Sequence, residues 1–299
     1  MEGKEKIILK PHKDCVCSKS YNLLNMKLLN GCNGKCEFCI AAGTPAMKSA
    51  DYQKFIDTAN SMTEFSKVDV LGGEPTLYPN LVEVLKGIRP HKKEIGIISN
   101  GSNLSVLKEC IPYLDTITLS IHSFDYDKNS TGIHINEKEL KDLNKNKGNV
   151  ETIAAVVMSK DTVSNLKQIK DYARKAKKLG FSAIKLMELV TSNEEIDFVD
   201  LQDLLIDFGI HQKNATLRGC FFELPKLSKY LGIKTYVKLC CPYNNIFKAK
   251  SFGIPEIEYQ QDYMNVIQPD CTVTDSWVYD SFDNKILNGG ELHVNYIKK

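Results

Sequence analysis

The sequence predicts an α/β protein: a partial (β/α)6 barrel of the TIM type with an irregular C-terminal extension. Three observations predict it. Short apolar runs rich in β-branched residues alternate with helical-period runs from about Asn22 to Val190. Polar and glycine residues collect where the apolar runs stop, at Gly72-Gly73-Glu74, Ser99-Asn100, Ser120-Ile121-His122 and Glu188. After about Thr191 the alternation is lost. Strands separated by helices pair in parallel through right-handed crossovers. Barrels of that kind carry their chemistry at the C-terminal strand ends.

The elements follow in order. Asn22 to Leu29 is the first strand, with Leu23, Leu24, Met26, Leu28 and Leu29, broken by Asn30-Gly31. Asp51 to Phe65 reads as a helix, because Phe55, Ile56, Ala59 and Met62 recur at helical spacing. Val68 to Leu71 is a short strand ending on two glycines, and Pro79 opens the next helix, through Leu81, Val82, Val84, Leu85 and Ile88. Ile95 to Ile98 is a strand stopped by Ser99-Asn100-Gly101, and Leu104 to Cys110 is helical. Thr116 to Ile121 is a strand, Glu137 to Leu143 a polar helix, and Thr152 to Met158 a strand. Val163 to Leu179 is a long amphipathic helix with Gly180 as its stop, and Ala183 to Val190 is the last clear strand. Asp197 to Phe208 reads as one more helix, after which no period holds. The division is a segment over 1–20, a barrel core over 21–192, and an extension over 193–299 that caps the substrate and is the region for any auxiliary cluster.

With 299 residues the chain can bury a sizeable core, and 42% apolar with 25% charged residues is an ordinary globular balance. A net charge of +2 makes no electrostatic case for nucleic acid or a membrane surface. No apolar run approaches the ~20 residues that span a bilayer. Residues Met1 to Lys13 are charged and lack a signal-type apolar stretch, so the expected location is cytoplasmic. In that compartment the 10 cysteines point to metal binding or catalysis rather than to disulfides.

Cys32, Cys36 and Cys39 stand on one short loop, spaced C-x3-C-x2-C after the first strand. Three thiolates can hold three irons of a four-iron cluster and leave the fourth iron open to a small molecule. A structural zinc site needs four protein ligands and would have to borrow Cys15, Cys17 or a distant cysteine. A ferredoxin-type site would want a fourth cysteine as well. Gly72-Gly73-Glu74-Pro75 follows the second strand. Glycines allow close backbone approach, and carbonyl and carboxylate groups accept from an ammonium. A tight turn is the plain alternative.

Together the triplet and the GGEP segment resemble the radical S-adenosylmethionine (SAM) superfamily, over roughly residues 20 to 192. Phe38, just before the last cysteine, matches the family's aromatic near the adenine. The resemblance implies that Cys32, Cys36 and Cys39 ligate a [4Fe-4S] cluster and that Gly72, Gly73 and Glu74 orient SAM. Ile98-Ser99-Asn100-Gly101 and Leu119-Ser120-Ile121-His122-Ser123 resemble segments of the MoaA-like branch, which implies SAM contacts at Ser99, Asn100 and Ser120. His122 stands where that branch has Asp, so a carboxylate role is not carried over. Lys185-Leu186-Met187-Glu188-Leu189-Val190 resembles another segment of the branch, with Val190 near the adenine. Each of these also reads as a plain strand terminus. In the family the reduced cluster cleaves SAM to methionine and a 5′-deoxyadenosyl radical that abstracts hydrogen from substrate. A one-electron donor, flavodoxin or ferredoxin, is therefore implied.

Cys220, Cys240, Cys241 and Cys271 are the candidates for an auxiliary iron–sulfur cluster, although no C-x2-C is among them and buried or free thiols are the alternative. Cys110, at a helix end, reads as core. Lys185, Glu188 and Arg218 are candidates for holding a substrate carboxylate or phosphate, with a barrel-interior pair and surface charge as the plain readings. Tyr236, Tyr243 and Trp277 read better as aromatic core than as cavity lining. Two substrate classes compete: a nucleotide or small metabolite, and a peptide, the second in a RiPP maturase with an auxiliary cluster. Outside the family the alternative is a non-catalytic zinc or iron–sulfur module.

Overall fold

The computed structural model describes residues 23–36, 38–39, 47–126, 131–189, 198–210, 221–240 and 265–274. The six predicted strands are present as β1 (Leu23–Lys27), β2 (Lys67–Leu71), β3 (Glu94–Ser99), β4 (Thr116–Ser120), β5 (Glu151–Val157) and β6 (Ala183–Met187). They alternate with α1 (Tyr52–Ser61), α2 (Leu81–Ile88), α3 (Leu104–Cys110), α4 (Glu137–Asn146) and α5 (Leu166–Lys178). Each strand pairs in parallel with the next.

The starts of α1, α3, α4 and α5 are set by side-chain caps. Asp51 accepts from the Gln53 N–H at 2.9 Å and Asn165 from the Gln168 N–H at 3.0 Å, which satisfies amide donors that the first turn leaves without partners. Gly180, the expected stop of α5, sits at φ 88°, a conformation that glycine adopts without cost. α1 ends at Ser61, earlier than the apolar spacing suggests. The Lys92 ammonium binds the carbonyls of Met62 and Phe65 at 2.8 and 2.9 Å and so holds a turn there.

The strand residues that alternate toward the helices form the core. Val68, Val70, Ile95, Ile97, Ile117, Leu119, Ile184 and Leu186 are buried against Phe55, Leu85, Leu107, Tyr172 and Ala176. Residues of the opposite parity, among them Lys67, Asp69, Thr116 and Lys185, therefore line the concave face.

The extension differs most from expectation. Its predicted helix shortens to α6 (Leu201–Leu204) and a 3-10 turn at Ile206–Phe208, ended by Gly209 at φ 79°. It also supplies β7 (Phe221–Glu223), α7 (Pro225–Leu231), β8 (Lys234–Lys238), β9 (Asn265–Ile267) and β10 (Val273–Thr274). The sheet order is β10-β9-β1-β2-β3-β4-β5-β6-β8-β7. β8 lies parallel to β6 and β9 parallel to β1, so the extension covers both edges of the six-strand sheet. Strands of 2 to 5 residues are too short for a period to show in sequence.

Candidate active site at the strand C-termini

β1 delivers the chain to the cysteine loop at the C-terminal end of the sheet. The approach to that loop is fastened to β2 and the segment after it. The Leu28 N–H binds the Leu71 carbonyl at 3.2 Å, Gly73 N–H binds Leu29 O at 2.8 Å, and Glu74 N–H binds Gly31 O at 2.9 Å. The two glycines are required by this packing. A Cβ on Gly73 would lie 1.9 Å from the Gly31 carbonyl oxygen, and one on Gly72, at φ 145°, 2.5 Å from that of Leu29. The close approach that glycine permits here is to the backbone leading into the cysteine loop.

Glu74 is 1% exposed. Its Oε1 accepts from Thr76 N (3.0 Å), Thr76 Oγ1 (2.6 Å) and Ser99 Oγ (2.8 Å), and its Oε2 from Asn100 N (2.7 Å). Three donors converge on Oε1 and one on Oε2, so Oε2 keeps capacity to accept a further hydrogen bond. Ser99 Oγ also accepts from the Gly101 N–H at 3.0 Å. Glu74 and Ser99 thus lock the end of β2 to the end of β3. Asn100 extends the lock outward: its Nδ2 donates to Asn33 Oδ1 at 2.9 Å and reaches Cys32 Sγ at 3.8 Å. The Gly34 N–H also donates to Cys32 Sγ, at 3.2 Å.

Cys32 is exposed, while Cys36 and Cys39 are partly buried. Burial pushes the Cys36 thiol up to about 12, and Cys39 and Cys32 add to the shift, so the three sulfurs act on one another. Lys27 is fully buried at the end of β1. Burial pushes its ammonium down to about 8, while Cys39 opposes that shift, which puts a cation beside the thiol set. Three thiols on one loop, with N–H donors to Cys32 and a neighbouring cation, fit an iron–sulfur cluster by donor chemistry. Among the described residues no three His, Cys, Asp or Glu side chains, the triplet included, form a cage for a metal ion.

Phe38 meets His122 edge to face, with ring centroids 4.8 Å apart and an interplanar angle of 89°. His122 is 3% exposed, and its Nδ1 accepts from the Val157 N–H at 3.1 Å. That bond assigns the proton of the neutral ring to Nε2. Burial holds His122 down at about 4. The residue that departs from the family pattern thus joins β4, β5 and the cysteine loop.

The remaining candidates separate. Glu188 does not face a substrate space: it is buried and accepts from Leu201 N at 2.9 Å and Cys240 N at 2.6 Å, tying the extension to β6. Ser120 ends β4 and is partly buried. Lys185 lies on the concave face of β6. Cys110 is fully buried in the core. Cys240 follows β8 at one side of the sheet, whereas Cys271 follows β9 at the other, beside Lys54 and Thr58 of α1. Tyr236 donates to Glu151 at 3.0 Å at the N-terminal end of the sheet. Val190, Arg218, Cys220, Cys241, Tyr243 and Trp277, together with Cys15 and Cys17, lie outside the described residues. Sequence reasoning missed Lys27, Asn33, Asp69 and Lys238. The signal was available in the period-2 pattern of Lys67-Val68-Asp69-Val70-Leu71, which sets charges opposite the core face.

A parallel α/β barrel, open at its side, with a three-cysteine loop at the C-terminal strand ends defines a class of cofactor-dependent enzyme. Residues 26–205 match the model of the Radical SAM superfamily, and the chain belongs to that family. The family uses SAM and a [4Fe-4S] cluster. The chain is 24% identical over 259 residues to the "Probable GTP 3',8-cyclase" of Thermococcus kodakarensis, covering 82% of this chain and 77% of that one. It is 28% identical over 130 residues to the protein of the same name from Pyrococcus abyssi, covering 41% and 42% of the two chains. It is 33% identical over 116 residues to the S-adenosylmethionine-dependent nucleotide dehydratase of Flammeovirga pacifica, covering 36% and 40%. Several of these matches thus span only about two-fifths of the relative's length. In fold the chain is similar to Streptococcus suis SuiB bound to S-adenosylmethionine, at TM-score 0.61 and 16% identity, over 85% of this chain and 60% of that one. These relatives and the family make the chain an enzyme, which sets aside the non-catalytic module. Among the described residues no helix is long and apolar enough to cross a membrane.

Proposed function

We propose that Cys32, Cys36 and Cys39 ligate the [4Fe-4S] cluster of a radical SAM enzyme that acts on a nucleotide or another small metabolite. When bound, the cluster supplies one electron to the SAM sulfonium, releasing methionine and a 5′-deoxyadenosyl radical for hydrogen abstraction. The carrying observation is the direct fastening of Gly73 and Glu74 to Leu29 and Gly31, the entry to the cysteine loop. It makes the ammonium-binding segment and the cluster loop one rigid unit.

The chain's own residues divide the work. The Glu74 carboxylate and Ser99 hydroxyl shape the pocket, and the carbonyls of the Gly72–Glu74 backbone, with Glu74 Oε2, accept from the SAM ammonium. Asn100 steadies Cys32 and Asn33. Phe38 offers a face to the adenine, with Ser120 and Val190 as further contacts, and His122 sets the angle of the Phe38 ring. Flavodoxin or ferredoxin is the electron donor, delivering its electron on the exposed Cys32 side, and the location is cytoplasmic. The peptide reading calls for an auxiliary cluster, for which Cys220, Cys240, Cys241 and Cys271 are the candidates, and the nucleotide-directed names of the sequence relatives favour the small-molecule reading.

The test is 5′-deoxyadenosine release by anaerobically reconstituted protein with SAM and dithionite, beside Cys36→Ala. Release by the wild type and none by the variant is expected. Release by Cys36→Ala would sink the cluster assignment.

A further inference from the structure

The connection from β4 to α4 grips the cysteine loop at two points. The Lys35 N–H binds the carbonyl of Thr131, a fully buried residue, at 2.9 Å. Three residues on, the Phe38 ring meets His122, with centroids 4.8 Å apart and planes at 89°. Phe38 stands between Cys36 and Cys39, on a turn that the Cys39 N–H closes on the Cys36 carbonyl at 3.2 Å. The direction of this ring therefore decides what the loop presents beside two of its thiols.

His122 is pinned to the sheet and to the helix behind it. Ile121, the residue before it, gives its N–H to the Ala155 carbonyl of β5 at 2.9 Å. The Ile121 carbonyl accepts the Tyr172 hydroxyl of α5 at 2.8 Å. The imidazole Nδ1 accepts the Val157 N–H at 3.1 Å, and the residue is 3% exposed. Aromatic pairs favour edge-to-face contact at centroid distances of roughly 4.5–7 Å. The ring fixed by β5 and α5 thus dictates the angle of the ring carried by the loop.

Two duties meet in one imidazole. Nδ1 satisfies a buried backbone N–H, as a core histidine does anywhere. The ring itself reaches out of the core to the cysteine loop. The two can be separated by substitution, because one needs an acceptor atom and the other an aromatic surface.

We propose that His122 is a positioning residue for SAM, and that its ring contact with Phe38 is what gives the adenine end of the site its affinity. The proposal rests on the radical SAM reading of the loop and deepens it. Adenine recognition then depends on β4 and β5 through a single aromatic contact, and His122 acts through Phe38 rather than on the cofactor.

The test is SAM affinity of the cluster-loaded protein by calorimetry, beside the iron content and melting temperature of the same preparations. His122→Asn sets an amide oxygen where Nδ1 stands, so it keeps the Val157 bond and removes the ring. It should keep its iron and weaken SAM binding about fivefold, as loss of one aromatic pair does. His122→Phe keeps a ring against Phe38 and strands the Val157 N–H. It should melt below wild type yet bind SAM within about twofold of it. Adding His122→Asn to Phe38→Ala should weaken SAM binding no further, because His122 acts through that ring. SAM affinity that follows melting temperature across the variants assigns His122 a structural role alone and overturns the proposal. So does wild-type affinity in His122→Asn, or a double variant in which the two losses multiply. If the wild type holds a full cluster and binds no SAM, the SAM reading itself fails, an outcome distinct from SAM binding that ignores His122.

Discussion

The two ends of the sheet use carboxylates in opposite ways. At the C-terminal end Glu74 and Glu188 are buried, and their oxygens accept mainly from backbone N–H groups. At the N-terminal end Glu94, Asp115 and Glu151 pair with Lys67, Arg89 and Lys234 on partly exposed side chains. A backbone-bound buried carboxylate dictates where two segments meet, because removing it leaves several donors without partners. An exposed ion pair is screened and holds little in place. The candidate-site end is therefore built from backbone ties, and the opposite end mostly from exposed pairs, with Asp115 the exception because it also accepts from the Ile95 N–H at 2.7 Å.

The comparison is broken most sharply by Glu74→Ala. It strands two buried N–H and two buried hydroxyl donors, and should lower unfolding free energy by about 4 kcal/mol in a denaturant titration. A loss under about 1 kcal/mol would put Glu74 on a par with the surface pairs. His122 tests the same end through pH. Its folded value is near 4, against an ordinary value of 6.5, so the unfolded chain binds the proton first as pH falls. Its stability contribution is complete above about 6.5 and is lost progressively down to about 4. The loss is roughly 3 kcal/mol. His122→Asn should flatten that part of the stability–pH curve, measured by thermal melts between pH 7 and 4. Glu188→Gln should cost about 2 kcal/mol, since an amide can accept only one of the two N–H groups without setting a donor against the other. The smallest effect belongs to the N-terminal end: Lys67→Ala should shift stability by no more than about 0.5 kcal/mol and become silent at high salt.

Much of the site was legible from the chain. The six strands and five helices of the core lie where period and stop signals put them, with α1 and α5 shortened at their ends. The triplet and the GGEP segment fall at strand ends, as the βα order requires. What the residues of that segment do was less legible. Glycine and glutamate read as ligand-facing, and the structure adds a second use: Gly73 is packed on the Gly31 carbonyl and Glu74 is held by Thr76, Ser99 and Asn100. Glu188 read as a barrel-facing acid and is a tie between β6 and the extension. A carboxylate's role depends on which donors surround it, and those donors come from segments far apart in sequence.

By itself the sequence determined the alternation of strands and helices, and with it the parallel sheet and the placing of chemistry at one end, because periodicity and turn residues are local properties. It also placed the three candidate thiols together, since Cys32, Cys36 and Cys39 stand within eight residues of one loop. Only the tertiary structure decided that β8 and β9 cover the two edges, that His122 braces Phe38, and that Glu188 ties β6 to the extension. Those depend on contacts between residues tens to hundreds of positions apart. Such contacts form only when the strands and the extension have assembled into one sheet.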